Sequence, residues 1–287
     1  MPATLSSISS QSKALKTPEG VPECCAGTLI INADDWGRDV ETTDRILDCV
    51  IGGTVSSTSA MVFMEDSARA AGLAKEKSVD CGLHLNFTTA FSSNDCPTRL
   101  KEQQEKLIRF LRCSRLAQAV YHPGLASTFK YVVLAQIEEF QRAFGIAPRR
   151  IDGHHHMHLC ANVLLGGLLP AGTIVRRNFS FRSCEKSRIN RMYRAGVDRM
   201  LAKRHHLTDY FFSLPPLEPK SRVDEIFSIA RHSIVEVETH PVNPEEFKFL
   251  TDGDALRAAG SLSIARGFAI PMKTGATPTF EKLRKLS

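Results

Sequence analysis

From Leu29 onward the chain alternates short β-rich apolar runs with longer stretches in which apolar residues recur every three or four positions. Seven runs have strand character: 29–32, 58–63, 79–85, 150–156, 173–176, 208–214 and 234–239. Strands separated by helical segments cannot pair as tight hairpins, so the alternation predicts repeated βα units around a parallel sheet. Helices are expected over 40–51, closing on Gly52-Gly53, and over 101–116, 128–144 and 223–231. The 128–144 stretch sets Val133, Ile137, Phe140 and Phe144 on one face and stops at Gly145, with Pro148 beyond. A basic segment after Arg188 carries an apolar stripe of Ile189, Tyr193, Val197, Met200 and Leu201, read as a buried face with the arginines solvated. The fold class is α/β, with about seven parallel strands in a single sheet or a barrel, complete or incomplete.

Composition narrows this picture. At 287 residues and 43% hydrophobic the chain can bury a large core, and no Pro- or Ser-rich linker divides it after residue 28. A single domain over 28–287 is expected, preceded by a flexible Ser- and Lys-rich tail, 1–27, without the apolar centre of a secretory signal. Eight scattered cysteines with no CxxC fit reduced thiols in a cytoplasmic protein better than a disulfide framework. The charge of +6 has no basic run or aromatic stripe behind it, so no nucleic-acid surface is expected, and no run is long enough for a transmembrane segment. Residues 86–127, the longest stretch between strands, are a candidate lid or specificity insert.

Four polar clusters each follow an apolar run: Asn32-Ala33-Asp34-Asp35, Gly82-Leu83-His84-Leu85, Asp152-Gly153-His154-His155-His156-Met157-His158 and Thr239-His240-Pro241. On parallel strands all four reach one rim, where they offer carboxylates and imidazoles to a hydrolytic metal centre. Neighbouring Asp34 and Asp35 repel unless a cation lies beside them. Asp39 is the better helix cap, which frees that pair. If 150–158 continues as a strand, Asp152, His154, His156 and His158 share one face. His240, held extended by Pro241, can exchange a proton near neutral pH. His205-His206, with no strand before it, reads as surface. Adjacent strand residues point apart, so the bend between Ala33 and Trp36 decides which aspartate ligates and which acts as base.

Taken together, these clusters with Trp36-Gly37 and Thr54-Val55-Ser56-Ser57-Thr58-Ser59 resemble the YdjC-like carbohydrate deacetylase family, over roughly residues 28–250 by motif placement. The resemblance implies a TIM-barrel-like fold, one divalent ion, and hydrolysis of N-acetyl groups from an amino sugar or N-acetylated oligosaccharide. It implies Asp35, His84 and His154 as metal ligands, Asp34 as the base and His240 near the leaving group. Asp152, His156, His158 and Arg176 then contact substrate or support the ligands, Arg176 at a position where the family often has a substrate-facing arginine. Mixed Asp and His ligation suits zinc, and a water-rich octahedral site suits magnesium or manganese. Trp36 stands where the family commonly has Phe, Val242 follows Pro241 where Gly is frequent, and 178–207 matches no family motif. The rival expectations are a metal-dependent phosphoesterase on a similar barrel and a sugar-binding protein without catalysis. A homodimer is expected from fold analogy.

Overall fold

The computed structural model describes residues 27–114, 116–181, 187–268 and 270. The stretch read as a tail lies outside the described residues, except Gly27, whose amide donates to the Arg231 carbonyl at 3.3 Å. All seven expected strands form: β1 Thr28–Trp36, β2 Ser57–Ala60, β3 Cys81–Leu85, β4 Arg150–Gly153, β5 Ile174–Val175, β6 Tyr210–Ser213 and β7 Ile234–Thr239. They build one sheet in the order β5-β4-β3-β2-β1-β7-β6, with every pair parallel. That order follows the chain around a circle with one join missing, between β5 and β6, so the sheet curls into a half-barrel with helices around it. The seam is partly filled by residues 204–206, where the Val175 amide donates to the His206 carbonyl at 2.9 Å and the His206 amide to Thr173 at 3.0 Å. The reading of His205-His206 as plain surface is thereby corrected: the backbone there extends the sheet past the short β5.

The outer layer holds α1 Val40–Ile51, α2 Ser67–Lys77, α3 Thr98–Cys113, α4 Ala126–Phe144, α5 Ala161–Leu165, α6 Arg188–Ala202, α7 Lys220–Ile229, α8 Pro244–Thr251 and α9 Asp254–Ala259. Asp39 caps α1, its Oδ1 accepting from the Thr42 amide at 2.8 Å. The insert at 86–127 contains α3, which packs on α4, so most of it belongs to the helical ring. Helix α6 departs from its expected packing: Val197 and Leu201 are buried, but Ile189 is 82% and Tyr193 53% exposed. The five cysteines described as free are Cys49, Cys81, Cys96, Cys113 and Cys160. Among the described residues no helix is long and apolar enough to cross a membrane.

Strand alternation divides the molecule into an apolar outside and a polar inside. Leu29, Ile31, Ala33, Leu83, Leu85, Ile151, Val175, Val235 and Val237 join the core between sheet and helices. The alternate positions, Asn32, Asp34, Ser59, His84, Asp152, Arg176, Glu236 and Glu238, face inward, all at most 5% exposed. Gly82, two residues before His84, shares that face because a Cβ there would stand 2.6 Å from the Arg150 Cζ. Arg150 donates to Ser59 Oγ (2.9 Å), Asp152 Oδ2 (3.0 Å) and the Thr58 carbonyl (2.7 Å), so it cannot swing aside freely. Below it the chain returns: the Ala265 amide donates to the Leu29 carbonyl at 2.9 Å, and the Phe268 ring lies 4.6 Å from the Arg150 guanidinium carbon.

Two consequences are measurable. Gly82→Ala is expected to destabilise the fold by about 1–3 kcal/mol in chemical denaturation, the usual scale of an overpacked interior. His158, fully buried, pairs Nε2 with the Arg176 carbonyl at 3.0 Å, so that nitrogen donates, and burial pushes its pKa down from 6.5 to about 4. Below pH 6.5 the unfolded chain takes up a proton that the folded imidazole refuses, so stability falls on acidification until the folded value is reached. Between pH 6.5 and about pH 5 this site should remove about 2 kcal/mol. In urea titrations with chelator present, His158→Asn should show a shallower loss over that interval than the native chain.

Candidate metal centre and catalytic rim

The bend in β1 settles where its two aspartates point. Ala33 pairs with Thr58 and Trp36 with Ala60, so β1 spends one residue more than β2 across this interval, and Asp35 takes a positive φ of 72°. Such a bulge breaks the alternation that would send neighbouring side chains to opposite faces. Ala33 and Trp36 both join the outer core, while Asp34 and Asp35 both turn toward the interior.

Asp35, His84 and His154 then converge: one ligating atom from each lies within 4.8 Å of the others. Oδ1 of Asp35 is 2.9 Å from His154 Nδ1 and 3.4 Å from His84 Nε2. Its Oδ2 accepts from Arg38 Nη1 at 3.2 Å. Yet Oδ1 is buried and makes no properly directed hydrogen bond. A buried carboxylate oxygen left without a donor, flanked by two imidazole nitrogens, fits a divalent cation as the missing partner. The far side of His84 is also arranged for ligation, because Nδ1 lies 2.7 Å from Asp152 Oδ1, which directs Nε2 at Asp35. Burial alone would lower the His84 pKa, but the charges of Asp34, Asp152 and Asp35 outweigh it and push it up to about 10.

Asp34 is engaged differently. Arg176 grips both its oxygens, Nη1 to Oδ2 at 2.6 Å and Nη2 to Oδ1 at 2.8 Å. Burial would raise the Asp34 pKa, but the guanidinium overrides it and holds the carboxylate below its ordinary range. The same guanidinium reaches Glu236 Oε1 (2.7 Å), Glu238 Oε2 (3.3 Å) and Asp152 Oδ2 (3.3 Å). Burial pushes both glutamates up, Glu238 strongly, and Asp34 beside it adds to that shift. Asp34, His84 and Asp152 form a second cluster of possible ligands, but Arg176, Ser59 and Arg150 already occupy its carboxylates. Arg176 is only 1% exposed: of the two roles expected of it, its position is that of a support, lying under the site and gripping Asp34.

The histidine run also differs from its expected geometry. β4 ends at Gly153, and His154–Leu159 forms a 3-10 turn in which His155 and His156 take φ of 53° and 58°. Left-handed backbone at two successive non-glycine residues is strained and abolishes the shared strand face. His154 alone stays at the metal cluster. His155 Nδ1 pairs with Thr88 Oγ1 at 2.9 Å, His156 Nε2 lies 3.7 Å from Glu238 Oε2, and His158 turns down to the Arg176 carbonyl. Asp152, by contrast, stays beside the cluster, with its Oδ1 2.7 Å from His84 Nδ1.

His240 closes β7 one step beyond the Ala33–Thr239 pair, level with Asp34 across the sheet. Its backbone is fixed by buried Glu246, which accepts from the His240 amide (2.9 Å) and Thr239 Oγ1 (2.8 Å). Glu246, Glu236, Glu238, Arg150 and Ser59 are site residues that sequence reasoning passed over. Only Glu236 and Glu238 carried a signal, as charges alternating with valines inside an apolar run.

Comparison with known proteins agrees with this architecture. The YdjC-like protein family matches residues 28–259. A carbohydrate deacetylase of Clostridium beijerinckii is 32% identical over 136 residues, 47% of this chain and 52% of that protein. A chitooligosaccharide deacetylase of Proteus mirabilis is 32% identical over 134 residues, 47% of this chain and 51% of that protein. The chain thus spans about half the length of the curated relatives it matches. A solved structure from Enterococcus faecalis V583, described as a cellobiose-phosphate cleavage protein, superposes with a TM-score of 0.60 at 17% identity, covering 84% of this chain and 96% of that one. At that identity the likeness is one of fold. With its seven-stranded half-barrel and a family match running from the first strand to the last described helix, the chain belongs to the YdjC-like protein family.

Proposed function

We propose that this chain is a divalent-metal-dependent hydrolase that removes the N-acetyl group from an amino sugar or N-acetylated oligosaccharide and releases acetate. The observation that carries the reading is the unsatisfied Oδ1 of Asp35 between His84 Nε2 and His154 Nδ1 at the strand ends. Asp35, His84 and His154 would hold the ion, with zinc favoured by the two imidazoles and magnesium or manganese as the alternatives. When bound, the ion supplies polarisation of the acetyl carbonyl and acidification of water.

The chain's own groups handle the protons. Asp34, kept ionised and aimed by the two-point grip of Arg176, accepts a proton from the attacking water. Its low pKa limits its basicity, so it depends on that water being acidified. His240, level with Asp34 on the neighbouring strand, gives a proton to the nitrogen as the amide C–N bond breaks, and the sugar leaves as a free amine. The carbohydrate and chitooligosaccharide deacetylases among its relatives support a carbohydrate amide as substrate. The engagement of Asp34 and Asp152 by arginines favours a one-ion centre over the two-ion centre common in phosphoesterases.

Asparagine substitutions separate the two aspartates. Asp35→Asn is expected to lose stoichiometric metal by elemental analysis together with turnover, whereas Asp34→Asn keeps the metal and loses roughly 10²–10⁴-fold in kcat, the range for a general base. If both variants keep metal and full activity, the assignment is wrong. Incubating the metal-loaded protein with N-acetylglucosamine oligomers should release acetate, whereas a generic phosphodiester should remain uncleaved. Chelation should stop that release, and adding back zinc, magnesium or manganese singly identifies the ion. Cleavage of the phosphodiester to a monoester and an alcohol would establish the phosphoesterase reading, and sugar binding without either reaction would establish a non-catalytic one.

A further inference from the structure

A cavity of about 740 Å³ begins at His155 and His156, immediately beyond the ligand candidate His154, and none of Asp35, His84 and His154 lines it. The rings of His154 and His155 lie 4.0 Å apart between centroids, so the cavity adjoins the candidate metal centre without being part of it. Its volume is in the range of ~300–1,000 Å³ that encloses a complete small ligand, more than an acetamido group requires. Whatever fills it is the part of the substrate that lies beyond the hydrolysed bond.

Helix α6 makes the far wall. Ile189, Tyr193 and Val197 recur every fourth residue and so share one face. Val197 is buried against the core, but the two turns before it leave the core and border the cavity, with Ile189 82% and Tyr193 53% exposed. The Tyr193 ring has no hydrogen bond or ring partner among the described residues, unlike Phe179 across the cavity, which stacks on Phe211 at 4.6 Å. Between these walls Arg194 donates from Nε to Asn190 Oδ1 at 2.8 Å, and its guanidinium carbon lies 4.9 Å from the Phe181 ring centroid. A free aromatic face beside guanidinium and amide groups suits a pyranose ring, whose C–H face packs on the aromatic while its hydroxyls reach the polar groups.

We infer that Tyr193 is the stacking platform of a subsite for the sugar unit next to the one deacetylated. This rests on the proposed deacetylase reading and adds Tyr193 as a specificity-determining residue in a segment where no family motif is found. The test uses the metal-loaded full chain, with N-acetylglucosamine and N,N′,N″-triacetylchitotriose as substrates. In the native chain kcat/KM should favour the trimer, and Tyr193→Ala should lower the trimer-to-monomer ratio roughly tenfold, mainly through KM of the trimer, with Tyr193→Phe restoring most of it because the ring remains. Calorimetric titration of the trimer provides a readout that does not need turnover. Tyr193-dependent trimer binding with no acetate released would keep the subsite and overturn the deacetylase reading. An unchanged trimer-to-monomer ratio in Tyr193→Ala, or trimer affinity indifferent to that substitution, would overturn the subsite.

Discussion

One buried guanidinium organises the inside of this half-barrel. Each of the five N–H groups of Arg176 has a carboxylate oxygen within 3.3 Å: Glu236 at Nε, Asp34 and Glu238 at Nη1, Asp34 and Asp152 at Nη2. Carboxylates in a dry interior repel one another and are costly to keep ionised, and a single cation cannot neutralise four of them. The charges are therefore divided, with Asp34 and Asp152 held ionised and Glu236 and Glu238 pushed toward their protonated forms by burial. Barrels of this type usually fill the centre with branched aliphatics. Here aliphatic packing lies almost wholly outside the sheet, and the centre is a polar scaffold whose purpose is to aim side chains at the rim.

That scaffold connects distant strands to the metal centre through short chains of hydrogen bonds. Arg150, at the base of β4, holds Ser59 and Asp152; Asp152 orients His84; His84 faces Asp35. Asn32 ties Ser57 and Ser59 to Asp34 within the same layer. Orientation fixed in advance matters for hydrolysis, because donors and acceptors already in place do not have to reorganise as charge develops. Of the five described non-glycine residues with positive φ, three, Asp35, His155 and His156, border the candidate metal centre or the adjoining cavity.

Much of this was legible in the sequence because it rests on hydrophobic alternation. All seven strands were marked by apolar runs, and the polar residues that end them include Asp35, His84 and His154, whose meeting needs only parallel strands in one sheet. What escaped notice depends on geometry without a local signature. The inward position of both Asp34 and Asp35 follows from a one-residue bulge, and a strand reading of 150–158 cannot foresee the turn at Gly153 that separates His154 from His156 and His158. A lone arginine after a short strand looks the same whether it faces solvent or, as Arg176 does, the centre of the protein. The stripe on α6 has helical period, which normally means burial, and only coordinates show its first half standing open. Helix α8 was detectable in principle, since Asn243-Pro244-Glu245 is a cap, a first-turn proline and an acid at a helix start.

The unjoined seam separates two kinds of constraint. The metal cluster, its bracing arginines and His240 hang on β1, β3, β4, β5 and β7, and a change of one residue in most of those ladders would turn an inner side chain outward. Helix α6 lies between β5 and β6, which do not pair, so its composition can drift without disturbing a strand register, whereas residues 204–206 are tied to β5. The candidate metal cluster and the open face of α6 are thus carried by parts of the chain under different constraints, so the seam can change in sequence while the rim stays as it is.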